Sequence, residues 1–169
     1  MTAEARALVR ASWDALAGDA AAGDAARLGA LGERFYERLF ALDAGVRPLF
    51  AAADMAAQQA KLVAMLGAMV RVLDDPDRLV PTAAALAARH VGYGVRGPHY
   101  ALVGEALRGA LGDVLGARAT PAVLAAWGEA YALLAAVMRR SADAVHQHAV
   151  HQHAAHQHAA GAAPAAHHP

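Results

Sequence analysis

Residues 79–90 have the sequence LVPTAAALAARH, and residues 91–95 continue as VGYGV. Within the first stretch, four residues spaced by four, three and four positions share one face of a helix: Leu79, Ala83, Leu86 and His90. That face is apolar until its last member, so it presents one imidazole at the end of an apolar stripe. The glycines that follow predict that the helix ends close to His90.

A second helical stripe begins 32 residues earlier in the chain. Gln58 opens it, and its other members are all apolar: Leu62, Met65, Leu66, Met69 and Leu73. Two helices that each carry one polar side chain on an apolar face can hold a flat ligand between them. The simpler interpretation of His90 is a core or boundary histidine, and His99, nine residues later, competes for any ligand role. Other parts of the chain decide between these interpretations.

The composition indicates an all-α protein. Of 169 residues, 57% are apolar and 50 are alanine, the best helix former, whereas β-branched and aromatic runs are nearly absent. Fifteen basic and fifteen acidic side chains cancel, which argues against nucleic acid as the partner. No cysteine is present, so a bound transition metal would need histidine, carboxylate or a macrocycle. Because we find no leader and no apolar run near ~18 residues, we expect a cytoplasmic protein without a membrane span.

Turn and cap signals divide residues 1–144 into about seven helical stretches, which we expect to form one domain. Candidate N-caps precede four of them: Thr2, Asp24, Asp54 and Thr120. Asp74-Asp75-Pro76 is expected to be a turn, and the helix that carries His90 is expected to open at Pro81. The last helix is expected to end near Ala144.

The character of the chain changes at residue 145. Histidine pairs two positions apart recur every five residues: His146, His148, His151, His153, His156 and His158. Residues 145–169 lack a large apolar stripe, so we expect a disordered tail. Neutral imidazoles at these positions are candidate ligands for nickel, zinc or copper. The alternative is a low-complexity expansion without a selected role.

Five ordered pieces of the chain resemble the globin family, specifically bacterial single-domain haemoglobins and the globin part of flavohaemoglobins. The similarity spans about Ala3 to Ala144. The pieces are Trp13 in the first helix, Phe35-Tyr36 followed by VRPLF at 46–50, Gln58 with Lys61-Leu62, Arg89-His90 with Gly94-Val95 and His99-Tyr100, and WGEAY at 127–131. The resemblance implies a globin fold of about seven helices around a haem pocket.

Through this resemblance, His90 is expected to be the proximal iron ligand of haem b. The carbonyl of Leu86, one turn back, is the local candidate to accept from the other ring nitrogen and fix its tautomer. The expected cofactor-binding residues are Phe50, Lys61, Leu62, Leu86, His90, Val95, Tyr100 and Val103. Tyr100 matches a tyrosine that hydrogen-bonds the proximal histidine in flavohaemoglobins. The glutamate that accompanies it there falls on Ala142, which weakens the case for strong oxygen activation.

On the distal side, Tyr36 and Gln58 are the residues expected to contact bound gas. A phenol hydroxyl and an amide N–H can both donate hydrogen bonds to it. Gln59 is the alternative for the glutamine role, but it lies about 100° around the helix from Gln58 and is four residues ahead of Val63 rather than Leu62. For Tyr36 the alternative is a core tyrosine whose hydroxyl bonds a backbone carbonyl.

The resemblance implies reversible binding of dioxygen and other diatomic gases, the chemistry used in oxygen transport. The enzymatic alternative is nitric oxide dioxygenation, the basis of nitric oxide detoxification. It would depend on a separate reductase, because the chain ends in the histidine-rich segment where flavohaemoglobins continue into flavin and nicotinamide domains. Two further hypotheses are haem-based sensing, for which no transmitter domain is attached, and an alanine-rich helical bundle without a cofactor.

Overall fold

The computed structural model describes residues 1–18, 22–92, 95 and 97–161, and within them it contains helices and no strand. These residues form the α-helices α1 (Ala3–Ala17), α2 (Ala22–Leu42), α3 (Met55–Arg71), α4 (Pro76–Gly92), α5 (Gly97–Leu115) and α6 (Pro121–Gly161). A 3-10 helix, Ala44–Phe50, lies between α2 and α3, and a shorter one, Gly116–Arg118, lies between α5 and α6. The prediction of an all-α fold is confirmed.

Three helices begin where a short side chain accepts a hydrogen bond from an otherwise unpaired backbone amide. Thr2 Oγ1 accepts from an amide three residues on at 3.1 Å. Asp54 Oδ1 accepts from an amide two residues on at 3.0 Å, and Thr120 Oγ1 from one three residues on at 3.3 Å. These caps agree with the sequence, because capping involves only neighbouring residues.

Two helices begin earlier than expected. α4 starts at Pro76 instead of Pro81, because Asp75 caps it and Asp75 Oδ1 accepts from a backbone amide three residues on at 3.2 Å. A proline is well tolerated at the first helical position, where its missing N–H would have no intrahelical partner. The expected turn is therefore a helix start, and Pro81 lies inside the helix. α2 starts at Ala22, two residues before the expected cap Asp24.

α6 is longer than expected. We expected the last helix to end near Ala144 and a disordered tail to follow, but the helical backbone continues to Gly161. The high helix propensity of alanine and the lack of proline between Pro121 and Pro164 favour this continuation. Side chains after Ser141, and the whole of residues 162–169, lie outside the described part of the chain.

The larger of two hydrophobic clusters joins α1, α2, α3 and α5 to the first half of α6. Val9 and Leu31 are fully buried within it. Where α1 meets α6, the ring centroids of Trp13 and Trp127 are 6.2 Å apart. Trp127 Nε1 donates to Ser12 Oγ at 2.9 Å, so the indole N–H is paired inside the core. This cluster holds the position of α3.

The smaller cluster joins α4 to α5 and to the second half of the buried part of α6. Its buried members include Ala83, Ala87, Tyr100 and Met138. α3 packs against α2, whereas α4 packs against α6, and over the described residues α3 and α4 are not packed along each other. α3 and α4 therefore belong to different hydrophobic clusters, and we call the space between these two helices the cleft.

The first part of α6, Pro121–Ser141, is long and apolar enough by composition to cross a membrane, whereas we expected no such stretch. Its side chains Val123, Ala126 and Trp127 are buried against the rest of the domain. A core helix rich in alanine meets the same criterion of length and composition. The segment therefore serves as a core element of this domain.

Candidate functional site

The predicted site residues divide between the two clusters. On the α3 side, the larger cluster contains Tyr36 with Phe50, Leu62 and Val103 packed against it. On the α4 side, the smaller cluster contains Tyr100 with Leu86 and Val95 packed against it. We call these two sets the distal wall and the proximal wall. Gln58 is half-buried on α3, and Lys61 is exposed on the same helix.

His90 is held in one orientation by a hydrogen bond within α4. Its ring nitrogen Nδ1 lies 2.9 Å from the carbonyl oxygen of Leu86, the acceptor anticipated from the sequence. Because a carbonyl only accepts, Nδ1 carries the hydrogen and donates, which leaves the lone pair of Nε2 available to a metal ion. The backbone amide of Val95 donates to the His90 carbonyl at 3.2 Å, so the chain after α4 is tied to the same residue.

Tyr100 was expected to hydrogen-bond His90. The hydrogen bond described for the His90 ring is the one to the Leu86 carbonyl, and the bond to Tyr100 stays a prediction. Tyr100 is buried in the same cluster as Ala83 and Ala87 of α4. It thus packs with the helix that carries His90.

Tyr131, which was not predicted as a site residue, ties α6 to the start of α5. Its hydroxyl donates to the Tyr100 carbonyl oxygen at 2.6 Å. Burial and the neighbouring Tyr100 raise the pKa of the Tyr131 phenol, so it remains a neutral donor. Gly104 leaves room for the ring, because a Cβ there would lie 2.7 Å from a ring carbon. A glycine inside α5 was the available signal, but the sequence does not say which ring fills the space.

Tyr36 lies in an aromatic group on the distal wall. Its ring centroid is 5.0 Å from that of Phe35, 5.9 Å from Phe40 and 5.4 Å from Phe50. The residue is 8% exposed, and burial raises the pKa of its phenol, which therefore stays protonated. Its hydroxyl has no hydrogen-bond partner among the described residues. Every fully buried side-chain polar atom of the described residues has a hydrogen-bond partner. The Tyr36 hydroxyl, which has none there, is therefore not fully buried. The alternative, a hydroxyl bonded to a backbone carbonyl, is therefore not what the structure describes.

The crossing of α2 and α3 distinguishes the two glutamines. The helices meet at Gly32, where an added Cβ would lie 2.9 Å from Gln59 Cβ and 3.1 Å from the Gln59 carbonyl oxygen. Gln59 therefore faces α2. Gln58 lies about 100° around α3 from Gln59 and about one turn before Leu62. This arrangement supports Gln58 as the glutamine of the cleft.

The chemistry of these residues suits a flat, mostly apolar group that carries a metal. α4 carries an imidazole with an available lone pair on Nε2, and the larger cluster contains the Tyr36 phenol, a hydrogen-bond donor. No three histidine or carboxylate side chains of the described chain lie close enough together to hold a bare metal ion. An iron held by His90 would therefore take its other ligands from a macrocycle, as haem iron does.

A cavity of about 40 Å³ is lined by residues of α1, α3, α4, α5 and α6. Its lining is apolar and includes Leu66, Met69, Leu107 and Leu134. None of the predicted haem-binding residues is among the described residues that line it. Its lining includes side chains of both α3 and α4, so it lies between the same two helices as the cleft.

Comparison with known proteins identifies similar chains. The family model described as Globin matches residues 33–138. The flavohemoprotein of Rhodopirellula baltica is 35% identical over 116 residues, which cover 68% of this chain and 28% of that protein. The flavohemoprotein of Bordetella parapertussis is 38% identical over 108 residues, which cover 63% and 27%. The chain thus spans little more than a quarter of the length of these relatives.

A solved structure is similar over most of both chains. It is an engineered carbene transferase made from RmaNOD, a Rhodothermus marinus protein assigned as a nitric oxide dioxygenase. The TM-score is 0.76 and the sequence identity 32%, over 89% of this chain and 99% of that one. The likeness covers the helices that form both walls of the cleft.

Replacing Gly32 with alanine should destabilise the protein, although alanine is the better helix former. The new Cβ would press on Gln59, so α3 would have to shift, and overpacking of this kind costs about 1–3 kcal/mol. Gly29→Ala is the matched control, because it lies in the same helix with nothing within 4 Å. It should leave the free energy of unfolding unchanged or raise it by up to about 1 kcal/mol. Urea denaturation measures both values, and equal stabilities would contradict the close crossing at Gly32.

Proposed function

Because the chain belongs to the globin family, which implies a bound haem, we propose that it holds haem b in the cleft between α3 and α4 and binds dioxygen reversibly there. When bound, the haem supplies the iron that coordinates dioxygen or another diatomic gas. The protein supplies the proximal ligand His90, apolar walls that exclude water, and hydrogen-bond donors on the distal side.

The hydrogen bond from His90 to Leu86 is the observation that carries this proposal. It fixes the tautomer that leaves Nε2 able to ligate, and it prevents the ring from turning about its Cβ–Cγ bond. Donation from Nδ1 also makes Nε2 the better electron donor to a metal. A core histidine can make the same hydrogen bond, so the ligand role rests on this bond together with membership of the globin family.

The two walls would keep the gas site dry. Leu62 and Val103 on one side and Leu86 and Val95 on the other are half-buried apolar side chains, which a flat apolar group can cover. A low local dielectric strengthens each hydrogen bond made inside the cleft. Exclusion of water also slows loss of an electron from ferrous iron.

Tyr36 and Gln58 would hold the bound gas by donating hydrogen bonds to it. Burial raises the pKa of the Tyr36 phenol, so this donor keeps its proton at and well above neutral pH. A hydrogen bond of this kind contributes about 0.5–1.5 kcal/mol, and more in a dry site. Two donors therefore favour slow release of dioxygen over the rapid exchange that suits a carrier.

Nitric oxide dioxygenation is a second candidate, favoured by the names of the similar proteins. The reaction combines nitric oxide, dioxygen and one electron into nitrate, so a reductase must supply that electron in each cycle. The donors Tyr36 and Gln58 serve this chemistry as well as gas binding. Ala142 offers no carboxylate to support the proximal histidine, which is why reversible binding stands first.

The substitution His90→Gly should abolish normal haem retention and the Soret band of the purified protein. Glycine removes the ligand but leaves space for a free imidazole, so added imidazole should restore the spectrum. His99→Gly is the matched control, since it removes the competing histidine and should leave the spectrum normal. Normal pigment content in the His90→Gly variant without imidazole would overturn the proposal.

Tyr36→Phe and Gln58→Ala should each speed dioxygen release about 2- to 12-fold, the factor that corresponds to about 0.5–1.5 kcal/mol. Gln59→Ala is the control for the second variant and should release dioxygen at the unchanged rate, because Gln59 faces α2. Stopped-flow spectroscopy measures the three rates. A larger effect at Gln59 than at Gln58 would reverse the assignment of the distal glutamine.

The enzymatic candidate predicts sustained consumption of nitric oxide when the protein is supplied with NADH and a cellular reductase. A single equivalent of nitrate per haem does not distinguish the functions, because most globins react once in this way. The measurement is therefore nitrate formed per haem over many cycles, with the His90→Gly variant as control. If turnover stops at one equivalent with every reductase of the host cell, the enzymatic candidate fails, while reversible gas binding is unaffected.

A further inference from the structure

The last seventeen residues of α6, 145–161, continue its helical backbone to Gly161. This segment contains no aspartate, glutamate, lysine or arginine but six histidines: His146, His148, His151, His153, His156 and His158. The proposed haem site does not include them. Their positions along a helical backbone can be compared with the spacing that metal binding requires.

A helix advances about 100° and 1.5 Å per residue. His148 and His151 are therefore about 60° apart around the axis and about 4.5 Å apart along it, on adjacent turns. His153 and His156 have the same relation, on a face about 140° from the first. His146 and His158 have no histidine three or four positions away within the segment.

Pairs of ligands on adjacent helical turns can share one ion, as in the Glu-x-x-His motif of helical metal sites. Imidazole suits divalent nickel, copper and zinc, whereas magnesium prefers oxygen ligands. Because the segment carries no charged side chain, no carboxylate there would attract an oxygen-preferring cation. The ligand class indicated by these residues is thus a divalent transition-metal ion.

We propose that residues 145–161 are a second metal-binding region with two sites, one at His148 and His151 and the other at His153 and His156. Each site offers two imidazoles from adjacent turns, and water completes the coordination. The helical spacing selects these four histidines and leaves His146 and His158 outside both sites. The proposal is independent of haem binding at His90.

The test is titration of the full-length protein with Ni²⁺ by isothermal calorimetry. The background carries His167→Ala and His168→Ala, since these two histidines lie outside the described residues. Two Ni²⁺ ions should bind per chain, and the double variant His148→Ala, His151→Ala should bind one. The double variant His153→Ala, His156→Ala should also bind one. Mg²⁺ should give no binding heat.

The control is the double variant His146→Ala, His158→Ala, which removes as many histidines but neither pair. It should keep both sites, and alanine at every position preserves the helix propensity. If this control loses as much nickel as either paired variant, binding depends on the number of histidines and not on their helical spacing, and the proposal is wrong. Absence of saturable Ni²⁺ binding in the starting protein would also overturn it.

Discussion

One hydrogen bond inside α4 determines which nitrogen of His90 can bind a metal. The Leu86 carbonyl has two lone pairs, so it can accept from the ring Nδ1 as well as from a backbone amide of the helix. With Nδ1–H occupied, the acceptor nitrogen is Nε2, at the far end of the ring. The acceptor is the carbonyl four residues back in the same helix, so the helical geometry of α4 fixes the orientation of the His90 ring. The helix that carries this nitrogen belongs to a different hydrophobic cluster from the one that contains Tyr36.

The helices α3 and α4 belong to different hydrophobic clusters. α3 is placed by its crossing with α2, where Gly32 lets the two backbones come close. The proximal wall is placed through the Tyr131 hydroxyl on the Tyr100 carbonyl, with Gly104 making room for the ring. Tyr131 packs against both clusters. The separation of the walls is therefore set by contacts behind the cleft.

Local features of this fold could be predicted from the sequence, and features made by distant residues could not. The caps at Thr2, Asp54 and Thr120 involve residues two or three positions away. The start of α4 was misplaced because an Asp-Pro pair is equally typical of a turn and of a helix start. The long helix at the end of the chain was missed because lack of an apolar stripe excludes a core but does not exclude a helix.

In the candidate site, too, features made by neighbouring residues could be predicted from the sequence, and features made by distant residues could not. The resemblance and the stripe spacing selected His90, and the Leu86 acceptor followed from helical geometry alone. The stripe spacing favoured Gln58 over Gln59, and the close approach of Gly32 to Gln59, 27 residues later in the chain, supports that choice. The bond between Tyr131 and the Tyr100 carbonyl joins residues 31 positions apart. Nothing in the local pattern of either residue indicates that partner.

The continuity of α6 has a geometrical consequence for its histidine-rich end. Trp127 and Met138 are fixed in the two clusters, and the same unbroken helix continues from them to Gly161. The rotational phase of the histidine positions along the helical backbone is thus set by residues in the core. Insertion of a single alanine after Ser141 would turn both pairs of positions by about 100° about the helix axis relative to residues 1–141, without altering the spacing within either pair. One continuous helix therefore connects the core to the histidine-rich segment.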